Sequence, residues 1–354
     1  MHVDHIIVGQ GICGTLLSYM LVKRGHTVLV IDDAQPFAAG MVASGLVNPV
    51  TGMRVAKSWL VDELYPAAVS IYSALEEELQ IRIMHDLSIL EFHPDLKHRE
   101  VFNDRIAQYP EHLSDRVNDA TWNNTFNFHY GIGEVTSSFW VDMRALQSGW
   151  RRVLAGKGYL KEERFDIAQL RAAGDGVEYN GFRATNIVFC NGAAGATDPY
   201  FERLPFALNK GEALIAAIPG LSPQHVYKNG IKITPWQNGN FWVGASFEWT
   251  FSDTLPSPAF RARTEAQLNN WLKLPYTILD HLASVRPATV DHKPFAGFHP
   301  LHPAVGIFNG MGAKGCLQAP FFAASLADHM VGGTPLHKEV DINRYARILS
   351  RPAL

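Results

Sequence analysis

The chain has 354 residues, 47% of them hydrophobic and 18% charged, with a formal net charge of −3. That length and apolar content allow two domains of about 100–200 residues each, with a site between them. Acids and bases are interspersed, so no basic stripe points to nucleic acid and no polybasic cluster to an anionic membrane surface.

Cys13, Cys190 and Cys316 are widely spaced in apolar or glycine-rich surroundings, which reads as reduced packing thiols rather than a disulfide framework. The first strand starts by Val3, which leaves no room for a charged leader and apolar signal segment. No stretch approaches the roughly 18 uninterrupted apolar residues of a membrane span; "FFAASLADHMV" is broken by Asp328 and His329. The expectation is a cytoplasmic protein without integral membrane insertion, with homo-oligomer formation left open.

The chain opens with an apolar strand, "HIIV", a glycine turn, "GQGICG", and the helix-like "TLLSYMLVKRG". The spacing GxGxxG falls on Gly9, Gly11 and Gly14. In that setting the first glycine permits a tight turn, the second admits a pyrophosphate to the backbone, and the third lets helix and strand pack closely. The helix N-terminus adds orphan N–H donors and a partial positive charge. A second strand, "HTVLVIDD", reaches Asp32 about 20 residues past the glycines, where an acid binds a ribose hydroxyl and disfavours a 2′-phosphate. This half predicts a dinucleotide site and leaves NAD and FAD equally open, since both present the same ADP.

Next comes "AAGMVASGLVNPVTGMR", too irregular for an element and too apolar for a solvated linker, so it is expected to lie against a ligand. Three-and-four spacing predicts a helix over 58–79, with Pro66 starting or kinking it and "EEE" at 76–78 on its solvated face. Strands are expected at "LSILEF", "FNFHYG" and "GEVTSSFWV", then an amphipathic helix in "DMRALQSGWRRVLAGKG". "YLKEERF", "GVEYN" and "RATNIVFCNGAAG" follow, the last an apolar strand running into small residues. "KGEALIAAIP" and "NGIKITPWQNGNFWVGASF", with a helix around "FRARTEAQLNNWL", predict a mostly antiparallel sheet carrying a helix. The end, "VGIFNGMGAKGCLQAPFFAASLADHMVGG", repeats strand, glycine turn and helix.

The fold class expected is α/β, or α+β overall: a Rossmann-like nucleotide domain with an inserted, mostly antiparallel β-sheet domain carrying helices. The discontinuous nucleotide domain would comprise residues 1–80, 141–205 and 283–354, and the substrate domain 81–140 and 206–282. Other chemistries find no support. His299 and His302 of "HPLHP" lack cysteine partners or an HExxH frame, so no metal site is expected. Trp236, Trp242 and Trp249 read as core or pocket wall rather than a base-stacking platform. No GxSxG elbow is visible.

Taken together and in order, "IIVGQGICG", Asp32, "ASGL", "IVFCNGAAG", "KGE", "ITPWQNGNFWVGASFE", "VRPATVDHKPFAG" and "FNGMGAKGCLQAP" resemble FAD-dependent oxidoreductases of the D-amino-acid oxidase and glycine oxidase type. The resemblance implies FAD as cofactor, and a small-molecule substrate bearing a carboxylate whose C–N bond is oxidised, with oxygen as acceptor. It implies that Gly9, Gly11 and Gly14 hold the pyrophosphate, Asp32 the ribose, Ser44 and Gly45 the pyrophosphate and ring, and the main chain of Phe165 the adenine. It further implies that Gly312, Ala313, Lys314 and Gly315 face the pyrimidine end of the isoalloxazine, and that Arg286 pairs with the substrate carboxylate.

Two departures qualify it. Lys232 stands in "KITP" where relatives often carry tyrosine. Such a cation would favour a second acidic group on the substrate, against the competing reading of an outward-facing strand residue. No cysteine lies near "VRPATVDHKP", so FAD is expected to be non-covalent. The rival activities are FAD-dependent oxidation of a 2-hydroxy acid with a non-oxygen acceptor, oxidation of a modified-tRNA amine, and non-catalytic flavin binding.

Overall fold

The apolar run His5–Val8 becomes the centre of a parallel sheet because both of its faces are covered. The structure is a computed structural model that describes residues 1–173 and 176–351. Its six-stranded sheet runs Phe295–His299, His302–Asn309, Asn186–Phe189, His5–Val8, Val28–Ile31 and Leu160–Lys161. The first pair is antiparallel and every later neighbour is parallel. Ile7, Val28, Val30 and Val188 face one core, shared with buried residues of the helices Ile12–Lys23, Val61–Leu79 and Gly315–Gly332. Ile6, Leu29, Ile187 and Phe189 face another, against Val177 and Tyr179 of a three-stranded sheet. Val28–Ile31 and Asn186–Phe189 flank His5–Val8 on opposite sides, and in open parallel sheets such a switch point forms the ligand crevice at the strands' C-terminal ends.

A nine-stranded sheet is mostly antiparallel, with one parallel pair between His225–Asn229 and Met84–Phe92. On one face Leu214, Ile231, Ile233 and Val243 pack under the helix Pro258–Trp271. The other face carries Ala213, Ile215, Trp242 and Leu282, packed on Val42. By the same two-residue alternation Lys232 shares that second face, with Thr234. The α/β class and the mixed sheets thus match the expectation from the sequence.

Several local readings are corrected. The 126–131 stretch is not a strand; Phe126 makes an isolated bridge to Leu272, and Phe126 and Phe128 imitate strand alternation because both rings pack on Phe92. Pro66 does not start the helix: the Val61–Leu79 helix begins five residues earlier and contains it, with Leu64, Ala68, Tyr72 and Leu75 buried. A helix at Leu96–Ile106 escaped notice because its sequence is polar, with just His98 and Phe102 buried, although Asp95 caps it by accepting from the His98 N–H. Trp249 is 57% exposed and is neither core nor wall, unlike the buried Trp242. Among the described residues no helix is long and apolar enough to cross a membrane.

Glu76 also differs from a solvated helix residue. Its Oε1 accepts the N–H groups of Ile83 and Met84 at 2.7 and 2.8 Å, tying the helix end to the next strand. Glu76→Ala should cost about 1–3 kcal/mol by orphaning those donors, whereas exposed Glu77→Ala should stay within about 0.5 kcal/mol. Urea unfolding of the two variants, read by circular dichroism, checks this; equal midpoints would refute it.

Candidate active site

The glycine turn is shaped by close backbone packing. Gly9 has φ +96°, and a Cβ there would lie 2.6 Å from the Cys190 carbonyl oxygen at the end of the neighbouring strand. A Cβ on Gly14 would collide with the Gly9 carbonyl, so the Ile12–Lys23 helix can approach the turn only with glycine at 14. Gly11 differs: it is the N-cap, no side chain caps it, and a Cβ there would meet open space. The first helix N–H groups therefore face room for an anion.

Asp32 joins this turn directly. The Gln10 N–H donates to its Oδ2 at 2.7 Å, and Oδ1 accepts from the Ala34 N–H at 2.9 Å and from Arg151 Nη1 at 2.7 Å. A carboxylate has about four acceptor positions, so Oδ2 retains one for a ribose hydroxyl. Arg151 also bonds Gln10 Oε1 and Glu162, and nothing in an amphipathic helix pattern singled it out. Phe165 lies beyond the Leu160–Lys161 strand, which pairs beside Asp32. Its ring stacks on Tyr179 at 4.7 Å and meets Phe189 edge-on.

The segment after the second strand, expected to hold no element, forms the short helix Ala39–Val42 and the strands Leu46–Val47 and Val50–Thr51, and meets the turn through Gln147, which accepts from Gln10 and lies beside Gly40. Gly45 has φ +72°, and a Cβ there would strike the Val141 carbonyl. Its neighbour Ser44 makes a long 3.5 Å contact to the Leu46 N–H. Two buried donors nearby have no protein acceptor: Gln147 Nε2, beside Gly40, and Trp140 Nε1, 3.1 Å from the Cβ position of Gly45. Orphaned donors, open space at Gly11 and an uncapped helix N-terminus fit the pyrophosphate of FAD.

The chain's far end reaches the same place. The Gly315–Gly332 helix begins against the first one, with the Gly315 Cβ position 3.4 Å from Ile12 Cγ2, and it too lacks a side-chain cap. The Gly312 N–H donates to the Pro287 carbonyl at 3.0 Å, which sets the Gly312, Ala313, Lys314, Gly315 loop directly beside Arg286. The Arg286 guanidinium lies against Gly211, where a methyl would collide with it, and 4.5 Å from the Phe247 ring centroid. Its Nη1 donates to Asn209 Oδ1 at 2.7 Å and to the Ser246 carbonyl at 3.1 Å. Among the described residues it has no carboxylate partner, and burial lowers its pKa to about 10.

Lys232 and Lys314 complete a cationic cluster. Burial, then the charges of Lys228 and Arg286, pull Lys232 down to about 8 against the opposing pull of Glu91. Burial, Lys232 and Lys228 bring Lys314 to about 8 as well. Lys228 is neutralised by Glu91 at 2.5 Å, and Lys314 Nζ donates to Ser58 Oγ at 3.2 Å. Sequence reasoning had no means to find Lys228, Glu91 or Phe247, because their roles depend on cross-strand register.

A base whose pKa falls on folding destabilises the fold fully while both states are charged, and the penalty fades as pH climbs from the folded toward the unfolded value. Lys232→Met should therefore stabilise the apoprotein at pH 7 by on the order of 1 kcal/mol, allowing for solvent screening. That gain should shrink between pH about 8 and about 10. Thermal midpoints of wild type and variant across this range test the point; a pH-independent difference would contradict it.

Comparison with known proteins bears on the same chain. A family model described as DAO, FAD dependent oxidoreductase, matches residues 4–329. Glycine oxidase from Geobacillus kaustophilus is 24% identical over 379 residues, covering 92% of each chain. A solved structure of glycine oxidase from that organism superposes with a TM-score of 0.81 at 17% identity, covering 99% of each chain. Iminodiacetate oxidase from Chelativorans sp. BNC1 superposes with a TM-score of 0.76 at 22% identity, over 97% of this chain and 98% of its own. The tRNA 5-methylaminomethyl-2-thiouridine biosynthesis bifunctional protein MnmC of Marinobacter nauticus is 24% identical over 360 residues, 92% of this chain; the chain spans about half, 55%, of that protein. With its glycine turn, its cation-lined sheet face and a family match running through nearly all of its elements, the chain belongs to the DAO family of FAD dependent oxidoreductases.

Proposed function

We propose that this protein oxidises the C–N bond of a small amino acid or secondary amine bearing a carboxylate, with oxygen as electron acceptor. The observation that carries the reading is Arg286: a half-buried guanidinium beside the 312–315 loop, without an acid of its own. A planar fork whose Nη2 and Nε have no acceptor among the described residues suits a bidentate carboxylate. The glycine oxidase and iminodiacetate oxidase likenesses are of the same chemical kind.

FAD, when bound, supplies a two-electron acceptor that takes the substrate's α-hydrogen as hydride and passes both electrons to oxygen, giving hydrogen peroxide. The nitrogen gives up its own proton, and water cleaves the resulting imine into an oxo acid and an amine or ammonia. This chain's residues orient and charge the site. Arg286 anchors the carboxylate, with Phe247 against the guanidinium. Lys232, Lys314 and Arg286 together favour the neutral amine that hydride loss requires, because nearby positive charge lowers an amine's pKa. With FAD bound, the Gly315–Gly332 helix N-terminus, after Gly312, Ala313 and Lys314, would supply a partial positive charge to the pyrimidine end of the ring.

In the same reading Gly9, Gly11 and Gly14 hold the pyrophosphate, Asp32 the ribose, Phe165 the adenine, and Ser44 with Gly45 the pyrophosphate and ring. The contacts are non-covalent. Residues 1–80, 141–205 and 283–354 form the FAD-binding domain, and 81–140 with 206–282 the substrate domain. What supports this division is that every strand of the six-stranded sheet falls in the first set and most strands of the larger sheet in the second.

Arg286→Ala should keep bound FAD and lose about 2–4 kcal/mol in kcat/KM, about 30- to 1,000-fold, as truncation of one member of a charge pair does. Stopped-flow reduction by amino acids and secondary amines reads this out; undiminished kcat/KM would overturn the role. Denaturation in guanidinium followed by filtration should release all the FAD, whereas yellow colour retained with the polypeptide would establish covalent attachment.

A further inference from the structure

We propose that the substrate is a small amine carrying two carboxylates, one held by Arg286 and the other by Lys232. This rests on the oxidase reading above and narrows it.

Register across the nine-stranded sheet places the two cations on one face. Lys232 pairs with Gly244 on one side and Lys228 on the other, and Gly244 pairs with Ala213. Gly211, against which the Arg286 guanidinium lies, is two residues before Ala213 and therefore shares its face. That face is the one packed on Val42 through Ala213, Ile215 and Trp242, whose Nε1 donates to the Val42 carbonyl at 2.9 Å. Lys232 is thus directed toward the segment preceding Ser44 and Gly45, not outward from the sheet.

Their polar partners then separate the four cations. Lys228 pairs with Glu91, which His98 Nε2 also approaches at 3.3 Å, and Lys314 is anchored on Ser58. Among the described residues Lys232 has no hydrogen-bond or ion-pair partner, and Arg286 has no acid. Two further polar atoms nearby are buried without partners: Thr234 Oγ1, two residues along from Lys232 on the same face, and Asn209 Nδ2, whose Oδ1 holds Arg286. A single carboxylate on Arg286 would leave Lys232 uncompensated beside Lys228 and Lys314. A second carboxylate gives Lys232 its counter-charge, while Lys314 keeps its contact to the Ser58 hydroxyl.

The span also fits. The backbones of Gly211 and Lys232 lie two strands and two residues apart, about 12 Å at ordinary strand spacing and rise. The guanidinium already covers Gly211, and the Arg286 charge acts on Lys232 across what remains, so one small ligand can serve both. Selectivity then comes from an unpaired buried cation that a monocarboxylic amine leaves unsatisfied.

The test uses FAD-loaded protein and two matched pairs: iminodiacetate against N-methylglycine, and D-aspartate against D-alanine. Wild type should show kcat/KM at least about 10-fold higher for the diacid of the pair it accepts. Lys232→Met should lower that ratio by about 10- to 100-fold, and Lys232→Arg should restore most of it. Binding gives a readout free of turnover: malonate or succinate should perturb the flavin absorbance at lower concentration than acetate or propionate, and Lys232→Met should abolish the difference. Reduction by monoacids with no diacid preference, or a ratio unchanged in Lys232→Met, overturns this inference and leaves the oxidase reading standing. Failure of every amine to bleach the flavin overturns the oxidase reading, and this inference with it.

Discussion

The strands His5–Val8 and Asn186–Phe189 end side by side, and the site depends on how tightly their ends meet. The Cys190 carbonyl lies where a side chain on Gly9 would be, and the Gly9 carbonyl where one on Gly14 would be. This packing draws the first helix onto the turn and points its uncapped N-terminus into open space at Gly11. Once that end is fixed, Asp32 is brought within reach of Gln10, and the Gly315–Gly332 helix packs against Ile12. Backbone contact at one switch point thus sets where residues from both ends of the chain converge.

Electrostatics distinguishes the half of the site built by the larger sheet. Partly buried cations normally come with acids, because an isolated charge is costly to desolvate. Here Glu91 serves Lys228, Asp32 and Glu162 serve Arg151, and among the described residues Arg286, Lys232 and Lys314 have no acid. Such an arrangement lowers the stability of the free protein and favours a ligand that brings its own negative charge. The flat floor supports this: Gly211 and Gly244 keep the strands bare where the guanidinium and the Trp242 indole lie.

Much of this was legible in the sequence for a definite reason. The glycine spacing, the terminal acid Asp32 and the strand-turn-helix repeat at the C-terminus are local patterns, and local patterns survive the absence of tertiary information. Arg286 in "VRP" and Lys232 in "KITP" were singled out only by the family resemblance, not by any periodicity. What stayed hidden depends on contacts distant in sequence: Arg151 on Asp32, Glu91 on Lys228, Glu76 on Ile83 and Met84, Phe247 beside Arg286. The false strand at 126–131 failed for the same reason, since two phenylalanines aimed at Phe92 produced the alternation of a strand.

A crystal structure of the FAD-loaded protein with a non-oxidisable dicarboxylate would test the central claim most directly. The account predicts pyrophosphate oxygens over Gly11, one carboxylate forked on the free edge of Arg286, and the other on Lys232 Nζ. A dinucleotide bound away from the first helix, or a ligand that leaves the Arg286 guanidinium untouched, would contradict it.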